Sequence, residues 1–293
     1  MKNGWYINLK KYLIILLILL IATMGVSCTK PIAKPEANDS PIVYSNLLDD
    51  ASRIELRTLM LASGIAENNV DSFFNQVDYF NEAIGGYGLV REGFKEELSI
   101  EPKYDPYQMQ DLWDEKNLDF IGYNCRITSF QLLKDLVQIS SPQQVESEYL
   151  VFDEMAINSD SQPLLNTEEI AAFRTLYYAI PTIATKDVAQ HVQKVQEYYQ
   201  ASGISFTGQQ ESLITVYFHD EEGFLFVGHV GVLFAGQGEL VFVEKVAFQE
   251  PYQVIKFNNR KQLSEYLIAK YNVAWGQETP EPFIIENGKL LDI

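Results

Sequence analysis

The sequence predicts an α+β domain, with helices first and an antiparallel sheet last. Three observations carry this expectation. Apolar residues recur at helical spacing in segments between Asn46 and Gly203. From Ser212 onward the chain turns to long runs of Val, Ile, Leu and Phe, broken by short Gly-bearing connections. Near the C-terminus, Asn287-Gly288 sits between two apolar runs, the strongest short hairpin signal a sequence offers. Helices and strands that occupy separate parts of a chain define the α+β class.

The N-terminus reads as a targeting segment. Met1-Lys2 and the pair Lys10-Lys11 precede the apolar run YLIILLILLIATMGV. A basic start, an apolar stretch and a small-residue exit mark a secretory signal. The exit, Gly25-Val26-Ser27-Cys28, resembles a bacterial lipoprotein signal, in which cleavage leaves an N-terminal cysteine modified by acyl chains such as palmitate. Tyr12 to Val26 is apolar but short of the ~20 residues that span a bilayer. The expected organisation is a signal over 1–27, a polar, Pro-bearing tether over 28–42 and one α+β domain over 43–293. Its partner would be the lipid membrane, held through acylated Cys28 on the extracytoplasmic face.

Within the domain, ASRIELRTLMLASGI reads as a helix closed by Gly64. Asn69-Val70-Asp71 caps SFFNQVDYFNEAI, and Met109 to Asn117 forms a shorter helix with Trp113 in the core. In GYNCRITSFQLLKDLVQI, the residues Ile127, Phe130, Leu133, Val137 and Ile139 approximate one helical face. Two further helices, TEEIAAFRTLYYAI and KDVAQHVQKVQEYYQASG, lie between Ser140 and Gly203. Ser212–Asp220 and FLFVGHVGVLF form one hairpin about Glu221-Glu222-Gly223, and a second hairpin runs to Phe248. YQVIKF adds a strand, Asn259 caps RKQLSEYLIAKYN, and PFIIENGKLL closes the chain.

Composition narrows the function. A formal charge of −18 repels phosphate backbones, which argues against nucleic acid as a partner. Three scattered histidines offer no clustered ligand set, so no metal or other cofactor is expected. Gly85-Gly86-Tyr87-Gly88 lacks the strand, helix and Gly-Lys-Ser/Thr context of a phosphate loop. The chain has two cysteines, and lipidation of Cys28 leaves Cys125 without a disulfide partner outside the cell. Such a thiol is either reactive or simply buried. Its position at a helix start, behind Gly122 and Asn124, favours the reactive reading, because free N–H groups and the helix dipole stabilise a thiolate there.

The histidines sort by setting. His191 beside Val188, Val192 and Val195 reads as a boundary or surface residue, and His219 beside Asp220 as a solvated turn residue. His229 interrupts an apolar strand between Gly228 and Val230. If Phe234 pairs with Glu239 across Ala235-Gly236-Gln237-Gly238, His229 faces Glu244 at about 4.5–5.5 Å between Cβ atoms. The candidate constellation is therefore Cys125 as nucleophile, His229 as base and Glu244 as the group that orients the ring. Oxyanion donors would come from the N–H of Cys125 or Arg126 and from the Asn124 side chain. Gln249, Glu250, Tyr252 and Gln253 either line a cleft or finish a strand connection.

The segments GYNCRITSF, FHD, GHVGVLF and EKVAFQEPYQVIKFNNR resemble a bacterial lipoprotein family, domain-of-unknown-function family 4300, from about Tyr44 to Leu291. That resemblance implies no activity. More distantly, a cysteine at a helix start, His-Val-Gly-Val on a strand and a polar residue on the next strand are similar to NlpC-type papain-like peptidases. This likeness implies a papain-like fold and an amidase or peptidase acting on peptidoglycan stem peptides, with Cys125, His229 and Glu244 in the three roles. The chain departs from that pattern around the nucleophile, where it has Asn124 and Arg126-Ile127 in place of Asp and Ser-Gly. The competing expectation is a non-catalytic binding or scaffold lipoprotein in which Cys125 is only buried.

Overall fold

A computed structural model describes residues 41–97, 103–142, 147–161, 163–236, 238–272 and 279–293. The signal, Cys28, nearly all of the tether and Gln237 lie outside the described residues. Among the described residues, no helix is long and apolar enough to cross a membrane.

Eight α-helices are formed among the described residues: α1 (Asp50–Ala62), α2 (Glu67–Ala83), α3 (Pro106–Lys116), α4 (Cys125–Leu133), α5 (Val151–Ser159), α6 (Thr167–Leu176), α7 (Val188–Ser202) and α8 (Arg260–Tyr271). Local chemistry sets most of their ends. Asp49, Asp105, Asn124, Asp187 and Asn259 each accept a first-turn N–H through the side chain, and Asn166 with Glu169 makes a capping box. Helix α2 departs from expectation. It begins at Glu67, two residues before Asn69, whose side chain is buried and donates to Asp135 at 2.9 Å. Helix α4 stops at Leu133 instead of continuing to Ile139, because Val137 and Gln138 pair with Phe206 and Ser205. Helix α5 has no counterpart among the expected elements.

The strands are β1 (Ile42–Ser45), β2 (Lys95–Glu97), β3 (Val137–Gln138), β4 (Ile180–Pro181), β5 (Ser205–Phe206), β6 (Glu211–His219), β7 (Phe224–Ala235), β8 (Leu240–Lys245), β9 (Tyr252–Phe257), β10 (Phe283–Glu286) and β11 (Lys289–Leu290). Nine of them form one antiparallel sheet in the order β11-β10-β6-β7-β8-β9-β1-β2, with β4 also paired to β7. Both faces are covered. Val230, Val232, Val243 and Val254 pack with Phe73, Phe80, Ile127 and Phe130 from α2 and α4. On the opposite face Ile214, Val216, Leu233 and Phe242 pack with Leu263, Tyr266 and Leu267 of α8. Strands buried on both sides read as unbroken apolar runs, which is why β6 and β7 stand out in the sequence. Each buried Val, Leu or Phe stabilises the fold by about 1.5–3 kcal/mol.

Two corrections bear on the site. The expected strand to Phe248 ends at Lys245, where the chain turns toward β9. The β7–β8 register also differs: Phe234 pairs with Val241, not Glu239. Gly236 N–H donates to Glu239 O at 2.9 Å and Gly238 sits at φ +87°, so the turn is centred one residue further along the chain than a pairing of Phe234 with Glu239 requires.

Candidate active site

Strand β7 is irregular where His229 lies. Val216 of β6 faces His229 while Tyr217 faces Val227, leaving Gly228 as the extra residue of a bulge. A Cβ at Gly228 would lie 2.2 Å from the Phe218 ring, so the bulge requires glycine. On its other edge β7 pairs with β4 through Phe224 and Leu225, and with β8 through Val232 to Ala235. The N-terminus of α4 comes to the stretch between these pairings, where Arg126 Nη1 donates to Val227 O at 2.8 Å. Helix, bulge and strand edge thereby bring Cys125 to His229.

The start of α4 is fixed by Asp153, a fully buried residue of α5. Its carboxylate accepts from Arg126 Nη2 at 2.6 Å, from Arg126 Nε at 2.9 Å and from Asn124 Nδ2 at 2.7 Å. Asn124 Oδ1 meanwhile accepts the N–H of Ile127 at 3.0 Å. Both ends of the Asn124 amide are thus engaged, and its side chain positions the helix start instead of facing the thiol. Loss of Asp153 would leave a partly buried guanidinium with only Val227 O as acceptor, a change that destabilises the start of α4.

The observed β7–β8 register extrapolates to Gly231 opposite Glu244, so His229 and Glu244 are diagonal neighbours. They nevertheless meet, with His229 Nε2 2.6 Å from Glu244 Oε2. That contact occupies Nε2, and the ring lies near enough to Cys125 for the two groups to be electrostatically coupled. Burial pushes the Cys125 thiol up, but the His229 charge and hydrogen bond and the Arg126 charge more than offset it, so the thiol titrates below its ordinary value. Burial likewise pushes His229 down, and its interactions with Cys125 and Glu244 reverse this to hold it above its ordinary value. Each group favours the charged form of the other.

Glu244 is held by more partners than the sequence suggested. Burial raises its carboxyl, while the Lys270 charge and the bonds from His229 and Tyr266 bring it down to about 2. Tyr266 Oη donates to Oε1 at 2.6 Å, Lys270 Nζ at 3.2 Å and Gln253 Nε2, directly across β8–β9, at 3.4 Å. Tyr271 stacks on the His229 ring, centroids 4.4 Å apart and planes 19° from parallel. All three belong to α8, but Tyr266 and Lys270, four apart, read in sequence as an ordinary helix face.

The other candidates are placed as follows. Gln249 Nε2 donates to Ile121 O at 3.1 Å, and Glu250 accepts from Tyr104 Oη at 2.8 Å. Tyr252 is core, its ring edge-on to Phe73 and its hydroxyl on Gln76. Buried Lys245 donates to the carbonyls of Phe248 and Glu250 and lies 3.6 Å from the centroid of Phe80, which ties down the β8–β9 connection. His191 and His219 are both buried, contrary to their expected surface settings. A groove of about 580 Å³ between β1, β9 and the start of α8 includes none of Cys125, His229 and Glu244.

Fold and centre together define an α+β protein with a helix-start cysteine, a strand histidine and a buried carboxylate in series. The chain belongs to the family described as Domain of unknown function (DUF4300), whose model matches residues 43–291. Comparison with the curated proteins and with the solved structures finds no match.

Proposed function

We propose that this protein is a lipid-anchored, extracytoplasmic cysteine hydrolase or amidase acting on a peptide-like bond, with peptidoglycan stem peptides as the favoured substrate class. The observation that carries the reading is His229 Nε2 held 2.6 Å from Glu244, with the ring electrostatically coupled to Cys125 at the start of α4. In this scheme the Cys125 thiolate attacks the acyl carbon, and the His229 imidazolium gives its proton to the departing amine. Glu244 holds the ring's tautomer and stabilises its charge. Water then attacks the thioester, passing a proton to His229. We read the order of nucleophile, base and acid along the chain as papain-like, and acylated Cys28, exposed by removal of the signal over 1–27, as the anchor.

A second reading, a non-catalytic binding or scaffold lipoprotein, is favoured by burial: Cys125 is 6% exposed, His229 1% and Glu244 0%. Digestion of purified peptidoglycan separates the two. The hydrolase reading predicts new muropeptide fragments with the wild type and none with Cys125→Ala. Identical digests would leave the binding class.

A further inference from the structure

The hydrolase reading leaves an oxyanion to be stabilised, and the Asn124 side chain is committed to Asp153 and to its own helix. The first-turn N–H groups of α4, at Cys125 and Arg126, have no acceptor within the helix and supply the backbone half of such a site. A side-chain donor must come from elsewhere. Tyr271 meets the requirement on three independent counts. Its ring is fixed flat against the base of the dyad, 4.4 Å from His229. Its hydroxyl is buried and has no hydrogen-bond partner among the described residues. That hydroxyl lies within the electrostatic reach of Cys125, Glu244, Glu250 and Tyr104.

A buried hydroxyl without an acceptor is costly; Tyr177 and Thr128 share that state, but it is the Tyr271 ring that lies flat against His229. Neighbouring Tyr266 shows the alternative, with its hydroxyl spent on Glu244. We infer that Tyr271 is the side-chain donor of the oxyanion hole, its hydroxyl kept open for the carbonyl oxygen of an acyl substrate at Cys125. The inference rests on the hydrolase reading and deepens it. As the sulfur–carbon bond forms, the carbonyl π pair moves onto oxygen, which accepts the Tyr271 O–H and a backbone N–H. When the pair returns, the bond to the leaving group breaks and the leaving group carries away its electrons. The hydrogen bond is strongest when the oxygen is fully charged, so it lowers the barrier more than it aids binding.

Two probes separate this role from the others. p-Nitrophenyl acetate acylates the thiol through an oxyanion and releases p-nitrophenolate. Iodoacetamide alkylates the same sulfur by displacement of iodide, with no oxyanion. Tyr271→Phe removes one oxygen and keeps the stacked ring. The expected result is a loss of acylation by about 10²- to 10³-fold with alkylation within twofold of the wild type. Equal acylation in the two proteins would overturn the inference and leave the hydrolase reading standing. A parallel fall in acylation and alkylation would also overturn it, assigning Tyr271 to holding His229. Alkylation without any acylation in the wild type would sink the hydrolase reading and this inference together.

Discussion

Two regions of the molecule bury histidine, and they treat the ring in opposite ways. At the far end of β6, His219 Nε2 meets Ile183 O at 3.0 Å and Nδ1 meets Asp220 O, while His191 bridges the Thr182 hydroxyl and Thr185 O, each at 2.9 Å. The two rings lie 5.1 Å apart and together fasten the chain from Thr182 to Thr185. Every nitrogen there ends on a neutral oxygen of the protein itself. At the bulge of β7, His229 instead meets a carboxylate and is electrostatically coupled to a thiol. All three rings are hidden from solvent, so burial does not separate structural from chemical histidine. The identity of the partners does.

This contrast can be broken by substitution, and the largest effect belongs to His229. His229→Ala should slow iodoacetamide alkylation of Cys125 at neutral pH on the order of 100-fold, the usual worth of a positioned acid–base partner. Comparable slowing by His191→Gln would erase the distinction between the two regions.

Glu244→Gln should act less strongly, about tenfold on the same rate, the equivalent of about 1.4 kcal/mol and the low end of what one charged hydrogen bond is worth. Its stability should also lose a pH dependence. Because the folded carboxyl is depressed from 4.5 to about 2, its contribution is complete above the ordinary value and is lost as pH falls from there to about 2. Urea unfolding across that window should show the slope in the wild type and a flatter profile in the variant. An unchanged slope would place the acid sensitivity in another carboxylate.

The smallest effect on chemistry should come from His219→Gln, with alkylation within twofold of the wild type. Its cost should appear in thermal unfolding instead, about 1–3 kcal/mol for carbonyls left without donors. A lowered rate with unchanged stability would invert the assignment.

What the sequence discloses follows from which forces are local. Asn124 as cap suffices to place Cys125 in the first turn of α4, because capping needs only neighbouring residues. The apolar runs of β6 and β7 and the Asn287-Gly288 turn are legible for the same reason. The β7–β8 register lies two residues from the one that spacing implies, since the turn, with Gly238 at φ +87°, is centred one residue later. His229 and Glu244 meet despite that shift, through a diagonal contact that long side chains can span. Pairing of β1 with β9 joins residues some 200 apart and leaves no local trace. Asp153, Tyr266, Lys270 and Tyr271 are invisible as site residues in the sequence, because short or weakly amphipathic helices do not announce which neighbour their polar groups will meet.

The central claim is that the Cys125 thiol and the His229 ring share a charge-coupled pair inside the fold. The pH dependence of Cys125 alkylation in the folded protein tests it most directly. The rate should rise through an inflection below the ordinary thiol value of 9.0 and then level off while the protein remains native. A single rise at or above 9.0, or labelling that begins only on unfolding, would contradict it.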